Sequence, residues 1–158
     1  MLVATLLSTS TSTILAGGSQ DHKHGNDASF KRVEKAFGTY DPNMKPTRVV
    51  DVVMSDNMRF SPDLIKVKKG EVIKIKHTNH GNLMHEFILG TTASLDEHAK
   101  MMRKSPNMKH NKPYMVHVVS GESATLIWKF SEVGQFTFAC LVPGHYEAGM
   151  KGIVMVEP

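Results

Sequence analysis

Cys140-Leu141-Val142-Pro143-Gly144-His145-Tyr146-Glu147-Ala148-Gly149-Met150 decides how the rest of the chain is read. It holds the single cysteine of the sequence. A histidine and then a methionine follow at equal intervals. Thiolate, imidazole and thioether are soft or borderline donors, a set that suits copper. Their spacing misses the three-or-four-residue repeat of one helix face. Pro143 and Gly144 also break a helix between the first two donors. A loop joining two strands is predicted instead, folded back so that the three side chains converge. A lone cysteine is ordinarily a small buried apolar residue. His145 and Met150 on the same short loop turn that expectation towards a metal site.

Such a site lacks one imidazole. The upstream candidate is His85, in Asn82-Leu83-Met84-His85-Glu86-Phe87-Ile88-Leu89-Gly90. Two histidines, a cysteine and a weak axial methionine are the ligand set of a type 1, or blue, copper centre. On these residues, and on the strand pattern between them, the chain from Pro46 to Pro158 resembles the cupredoxins. The four-residue gap between Cys140 and His145 is similar to the longer-looped members. His-Glu-Phe-Ile-Leu-Gly combined with Cys-Leu-Val-Pro-Gly-His resembles most the periplasmic cupredoxins associated with copper tolerance. The resemblance implies His85 as the upstream copper ligand and His145 as the more exposed ligand, hence the route for electrons. One departure stands out: plastocyanin and azurin carry an asparagine after the upstream histidine, where this chain has Glu86. A carboxylate there can still accept bonds from the ligand loop, and such contacts orient ligands and tune the metal.

The 158 residues, 41% of them hydrophobic, suffice for one domain with a real core and a tail. The formal charge of +4 is modest and suits an acidic partner; no basic run is interleaved with aromatics, so nucleic acid is not expected. One cysteine allows no intrachain disulfide. Eleven methionines and nine histidines are many for this length and point again to copper, since thioethers favour Cu(I) and imidazoles accept Cu(II).

Residues 1–18 read as a candidate secretory signal cut near Ala16 or Gly18, although no Lys or Arg precedes the apolar run. The segment is too short and polar to span a bilayer. Residues 19–45 are expected to be a flexible extension. His22 and His24 in it are weak copper-binding candidates, with a solvated linker as the plainer reading. Phe30, Val33 and Phe37 lie at helical spacing, which predicts a short amphipathic helix before Gly38.

Residues 46–158 form the predicted domain. Strands are expected over 48–54, 65–68, 72–78, 84–89, 116–119, 124–130, 134–140 and 152–156, with turns between them and no βαβ alternation. The class is all-β, a Greek-key sandwich with an inserted helix. Period-two alternation puts His85 beside Phe87 and Leu89, and Cys140 beside Phe136 and Phe138, so both donors point inward at strand ends. Lys66, Lys68, Lys74 and Lys76 form either a basic docking stripe or a solvated face. The helix is expected over 92–104, with Ser94 opening a capping box, acidic residues in the first turn, and Leu95, Met101 and Met102 on the sheet. His98, Met101, Met102, Met108, His110, Met115 and His117 gather near this insert and could make an accessory copper surface.

The favoured function is a periplasmic type 1 copper protein, binding through His85, Cys140, His145 and Met150. It would carry single electrons to redox or copper-handling partners and contribute to copper tolerance. Two other classes remain open: a sequestering or chaperone protein holding several coppers, and an oxidase of Cu(I). Zinc bound by one cysteine and two histidines leaves Met150 without a role. No hydrolytic triad, phosphate loop or paired-carboxylate motif competes.

Overall fold

The computed structural model describes residues 30–105 and 111–158, with the backbone of His24–Gly25. The candidate signal, the side chains of His22 and His24, and Met108 and His110 lie outside the described residues.

Two sheets face each other. The first contains β2 (Val33–Lys35), β3 (Gly38–Tyr40), β4 (Arg48–Ser55), β5 (Arg59–Ser61), β7 (Val72–Asn79) and β10 (Ser123–Lys129), in the order β2-β3-β10-β7-β4-β5. The short β1 (His24–Gly25) also pairs with β10. The second sheet contains β6 (Leu64–Lys68), β8 (His85–Gly90), β9 (Met115–Val118), β11 (Gly134–Ala139) and β12 (Lys151–Glu157), in the order β6-β12-β11-β8-β9. The chain crosses between the sheets from β5 to β6, β6 to β7, β7 to β8, β9 to β10 and β10 to β11, and β4 runs parallel to β7 as β6 does to β12. This is the expected Greek-key sandwich.

The alternation read from the sequence governs which side chains are buried. In β7, Ile73, Ile75 and His77 face inward while Lys76 stays exposed. In β10, Ala124, Leu126 and Trp128 do the same. Phe60, Phe87 and Phe138 meet between the sheets at ring-centroid separations of 4.9 to 5.7 Å. Fully burying each such ring is worth about 1.5–3 kcal/mol.

The expected helix near Phe37 is a hairpin instead, β2 with β3, paired through Thr39 to Lys129 of β10. The apolar spacing fits either structure, and the exposed edge of β10 selects the strand, because an open edge carries unpaired backbone groups. Phe37 stacks on Trp128 at 5.3 Å, and Trp128 Nε1 donates to the Phe37 carbonyl at 3.0 Å. Gly38 sits at φ 131 with its Cα against Lys129 backbone and the Trp128 ring, leaving no room for a Cβ.

The inserted helix α1 (Thr92–Lys104) has the expected span, but Ser94 does not open its capping box. Thr91 is the N-cap; its side chain accepts from Ser94 N–H, and the Ser94 hydroxyl completes the box. The first turn holds no acidic residue, and Arg103 and Lys104 fill the last, complementing the helix dipole. Leu95, Ala99 and Met102 are its buried residues, while Met101 is 43% exposed. The spacing 95-99-102 makes the inner stripe and turns Met101 outward. The helix covers the outer face of the second sheet. It builds a small second core with Ile88, Met115, Ala139 and Leu141. That cover explains why all six residues of β8 are buried rather than every other one.

Candidate metal centre

His85 opens β8, and Cys140 follows directly on the end of its antiparallel neighbour β11. The two donors therefore emerge at the same end of the second sheet. The chain then turns through residues 141–149 and re-enters at β12. Gly144 and Gly149 take positive φ values of 89 and 95, which the tight return requires. Two bonds close the bend: Met150 N–H to the His145 carbonyl and Cys140 N–H to the Met150 carbonyl, both 3.0 Å. Arg59 also donates to the Ala148 carbonyl at 2.9 Å.

The result brings three donor atoms together. His85 Nδ1 lies 3.2 Å from His145 Nδ1, which lies 3.3 Å from Cys140 Sγ. The ligand atoms of these three residues all fall within 4.8 Å of one another. His85 and Cys140 are fully buried and His145 is 9% exposed, the expected order. Met150 is also fully buried, in the same core as Cys140. Two imidazole nitrogens aimed at one another beside a sulfur are a poor arrangement for a core and a good one for a soft cation, so the residues fit copper.

Burial raises the Cys140 thiol to about 12, with a smaller opposing effect from the Glu86 and Val142 backbone. A metal must displace that proton, so binding releases it. Burial, and then the neighbouring His85, lower His145, which favours the neutral, ligating imidazole.

Glu86 does what the sequence suggested of a carboxylate in that place. Its backbone N–H donates to Cys140 Sγ at 3.3 Å, and its Oε2 accepts from Leu141 N–H at 3.1 Å. Its Oε1 lies 3.2 Å from His117 Nε2, and that carboxylate holds the His117 imidazole above its usual range. Glu86→Ala should therefore leave the buried Leu141 N–H unpaired and lower the stability of the metal-free protein by about 1–3 kcal/mol, read by urea denaturation.

Of the residues near the insert, His117 pairs with Glu86. Met102 and Met115 of that group are core residues. Among the described residues, His85, Cys140 and His145 are the one set of histidine, cysteine and carboxylate donors within reach of a single ion. Sequence reading missed what braces the ligand loop. Tyr146 donates to Asp96 Oδ1 at 2.7 Å and Arg103 to Glu147 at 2.6 Å, tying the loop to α1. It also missed Asp56, whose Oδ1 is 3.1 Å from His85 Nε2. Backbone N–H groups of Asn82 and Leu83 also bond this carboxylate and lower its pKa.

Residues 47–157 match the family model described as copper binding proteins, plastocyanin/azurin family. The chain belongs to that family. It is 45% identical over 139 residues to the copper-resistant cuproprotein CopI of Rubrivivax gelatinosus, covering 86% of this chain and 84% of the relative. It is 35% identical over 153 residues to CopI of Pseudomonas aeruginosa, covering 78% and 84%. Among solved structures, auracyanin B superposes with a TM-score of 0.63 at 20% identity, covering 73% of this chain and 93% of that one. This cupredoxin therefore has copper as its cofactor and copper-resistance proteins as relatives. Among the described residues no helix is long and apolar enough to cross a membrane.

Proposed function

We propose that this cupredoxin is a periplasmic one-electron carrier that contributes to copper tolerance, holding a single type 1 copper between His85, Cys140, His145 and Met150. The observation that carries the reading is the convergence of two Nδ1 atoms and one sulfur within 4.8 Å, built by strand ends and a braced loop. When bound there, copper supplies a Cu(I)/Cu(II) couple whose potential responds to the axial ligand and the surroundings of the thiolate. The chain's part is to hold the donors still. Phe138, in the same core as Cys140, keeps water from the sulfur, and α1 pins the loop at Tyr146 and Glu147. His145 is the donor nearest solvent. Leu83 and Met84, 47% and 43% exposed just before His85, give a partner an apolar place to dock at that end. The tolerance role rests on likeness to the copper-resistant CopI proteins, and the periplasmic location on the candidate secretory signal in residues 1–18.

The deciding experiment is a visible and paramagnetic-resonance spectrum of the copper-loaded protein with metal counted per chain. One copper with an intense thiolate band supports the carrier. Several coppers per chain would favour sequestration, and sustained oxygen uptake on adding Cu(I) would favour an oxidase. Met150→Leu should keep the copper and the thiolate band but raise the reduction potential, because losing a weak axial donor costs Cu(II) more than Cu(I). An unshifted potential would remove Met150 from the site.

A further inference from the structure

His85 has two ring nitrogens and only one faces the other donors. Nδ1 points at His145, and Nε2 points away, to Asp56 Oδ1 at 3.1 Å. We propose that Asp56 is a positioning residue for the copper centre: its carboxylate fixes the proton of His85 on Nε2, leaves Nδ1 free to ligate, and strengthens that nitrogen as a donor.

Asp56 sits in the turn between β4 and β5, on the sheet opposite His85. Its carboxylate is fixed from three sides. Oδ2 accepts from Asn82 N–H at 2.7 Å, and Oδ1 accepts from Leu83 N–H at 3.2 Å as well as facing His85. Gly81 completes the cradle, since a Cβ there would collide with Asp56 Oδ1 and its carboxyl carbon. Both oxygens are thus acceptors, and an acceptor opposite Nε2 requires the proton to be on Nε2. The ring then presents its lone pair at Nδ1, beside His145 and Cys140. The same contact orients the ring, because Asp56 is held by backbone and His85 is fully buried. Carboxylate–imidazole–metal relays of this kind raise ligand basicity, and losing the outer partner costs about 10–100-fold in metal affinity.

Asp56 has a purely structural alternative, which is to hold the 81–83 turn. The two roles separate in measurements that a turn clamp would not move. The inference rests on His85 as a ligand, so one measurement is made without metal. In the metal-free protein, nitrogen NMR of the His85 ring should show the proton on Nε2. Asp56→Ala should give a tautomer mixture. Asp56→Asn keeps the side-chain shape and one acceptor oxygen for Leu83 N–H and His85 Nε2–H while losing the bond from Asn82 N–H, so it should stay folded with a melt lowered by a few degrees. Loaded with copper, the Asn variant should bind Cu(II) about 10–100-fold more weakly and show a higher reduction potential, because a neutral partner donates less to the imidazole. A His85 proton on Nδ1 in the parent would overturn the proposal. So would an Asn variant with Cu(II) affinity within threefold of the parent and an unmoved potential. If the parent shows the Nε2 proton yet binds no copper, the copper assignment fails while the tautomer finding stands. Should Asp56→Ala not fold, the Asn variant and the parent spectrum still decide the matter.

Discussion

Cys140→Ser should lose the intense thiolate-to-copper absorption completely while the sandwich stays folded. The expectation follows from where the sulfur sits. Cys140 is fully buried and, among the described residues, shares with His85 and His145 the one cluster of histidine, cysteine and carboxylate donors in mutual reach. A serine hydroxyl cannot replace it as a soft ligand, because copper of this type draws its character from the sulfur. The two imidazoles alone would leave a weaker site without its charge-transfer band. The fold has less to lose. A hydroxyl can still accept the Glu86 N–H that now points at Sγ. The residual cost is that of burying a hydroxyl in place of a thiol, about 1–3 kcal/mol on mutational scales. Absorbance of the copper-loaded variant and its urea midpoint without metal read the two halves separately. Persistence of the band in the serine protein would end the type 1 assignment. Loss of the folded state with metal absent would instead mean that the thiol is first a packing residue.

The sandwich and the donor set were both legible in the sequence because each is written in short-range pattern. Alternation in Val72–Asn79 and Ser123–Lys129 states which side chains are inside, and the structure buries those residues. Cys140, His145 and Met150 lie on one loop, so their proximity needs little tertiary knowledge. His85 was reachable because period two places it on the inner face of β8. What failed was decided by partners distant in sequence. Phe30, Val33 and Phe37 satisfy a helical stripe, but the edge of β10 wins them for strands. The span of α1 was legible but its cap was not: Ser94 followed by acidic residues imitates a cap, whereas Thr91 is the residue whose side chain meets Ser94 N–H. Asp56 carried no signal at all beyond turn composition. Its role exists only because the β4–β5 turn and the start of β8, 29 positions apart at the contact, meet at one end of the sandwich. Gly81 was the single hint, a residue with no Cβ where another group must approach.

Acidification should destabilise the metal-free protein steeply, and His77 should be a principal cause. His77 is fully buried on β7, with its ring 4.2 Å from Phe87, and neither ring nitrogen has a hydrogen-bond partner of good geometry. Burial pushes its pKa down to about 3, with a small opposing effect from the Ala124 backbone. The sign follows directly. Above the ordinary value of 6.5 the imidazole is neutral in both folded and unfolded chains, and it imposes no pH dependence. Between that value and about 3 the unfolded chain takes up a proton that the folded core refuses. Stability is therefore lost as pH falls through this window, at about 1.4 kcal/mol per pH unit and roughly 5 kcal/mol in all. That is a large share of the 5–15 kcal/mol typical of a domain. His77→Leu, close in volume and with nothing to protonate, should remove this part of the slope. It should also stabilise the protein near neutral pH, since an unpaired buried polar group costs about 1–3 kcal/mol. Urea midpoints of both proteins from pH 7 to 4 isolate the effect, because every other group is common to the pair and cancels in the difference. Parallel curves would show that the folded core accepts a proton at His77 as readily as the unfolded chain does. Curves that diverge below pH 6.5 would place the acid limit of the fold at His77, on β7 against Phe87, which itself lies two residues along β8 from His85.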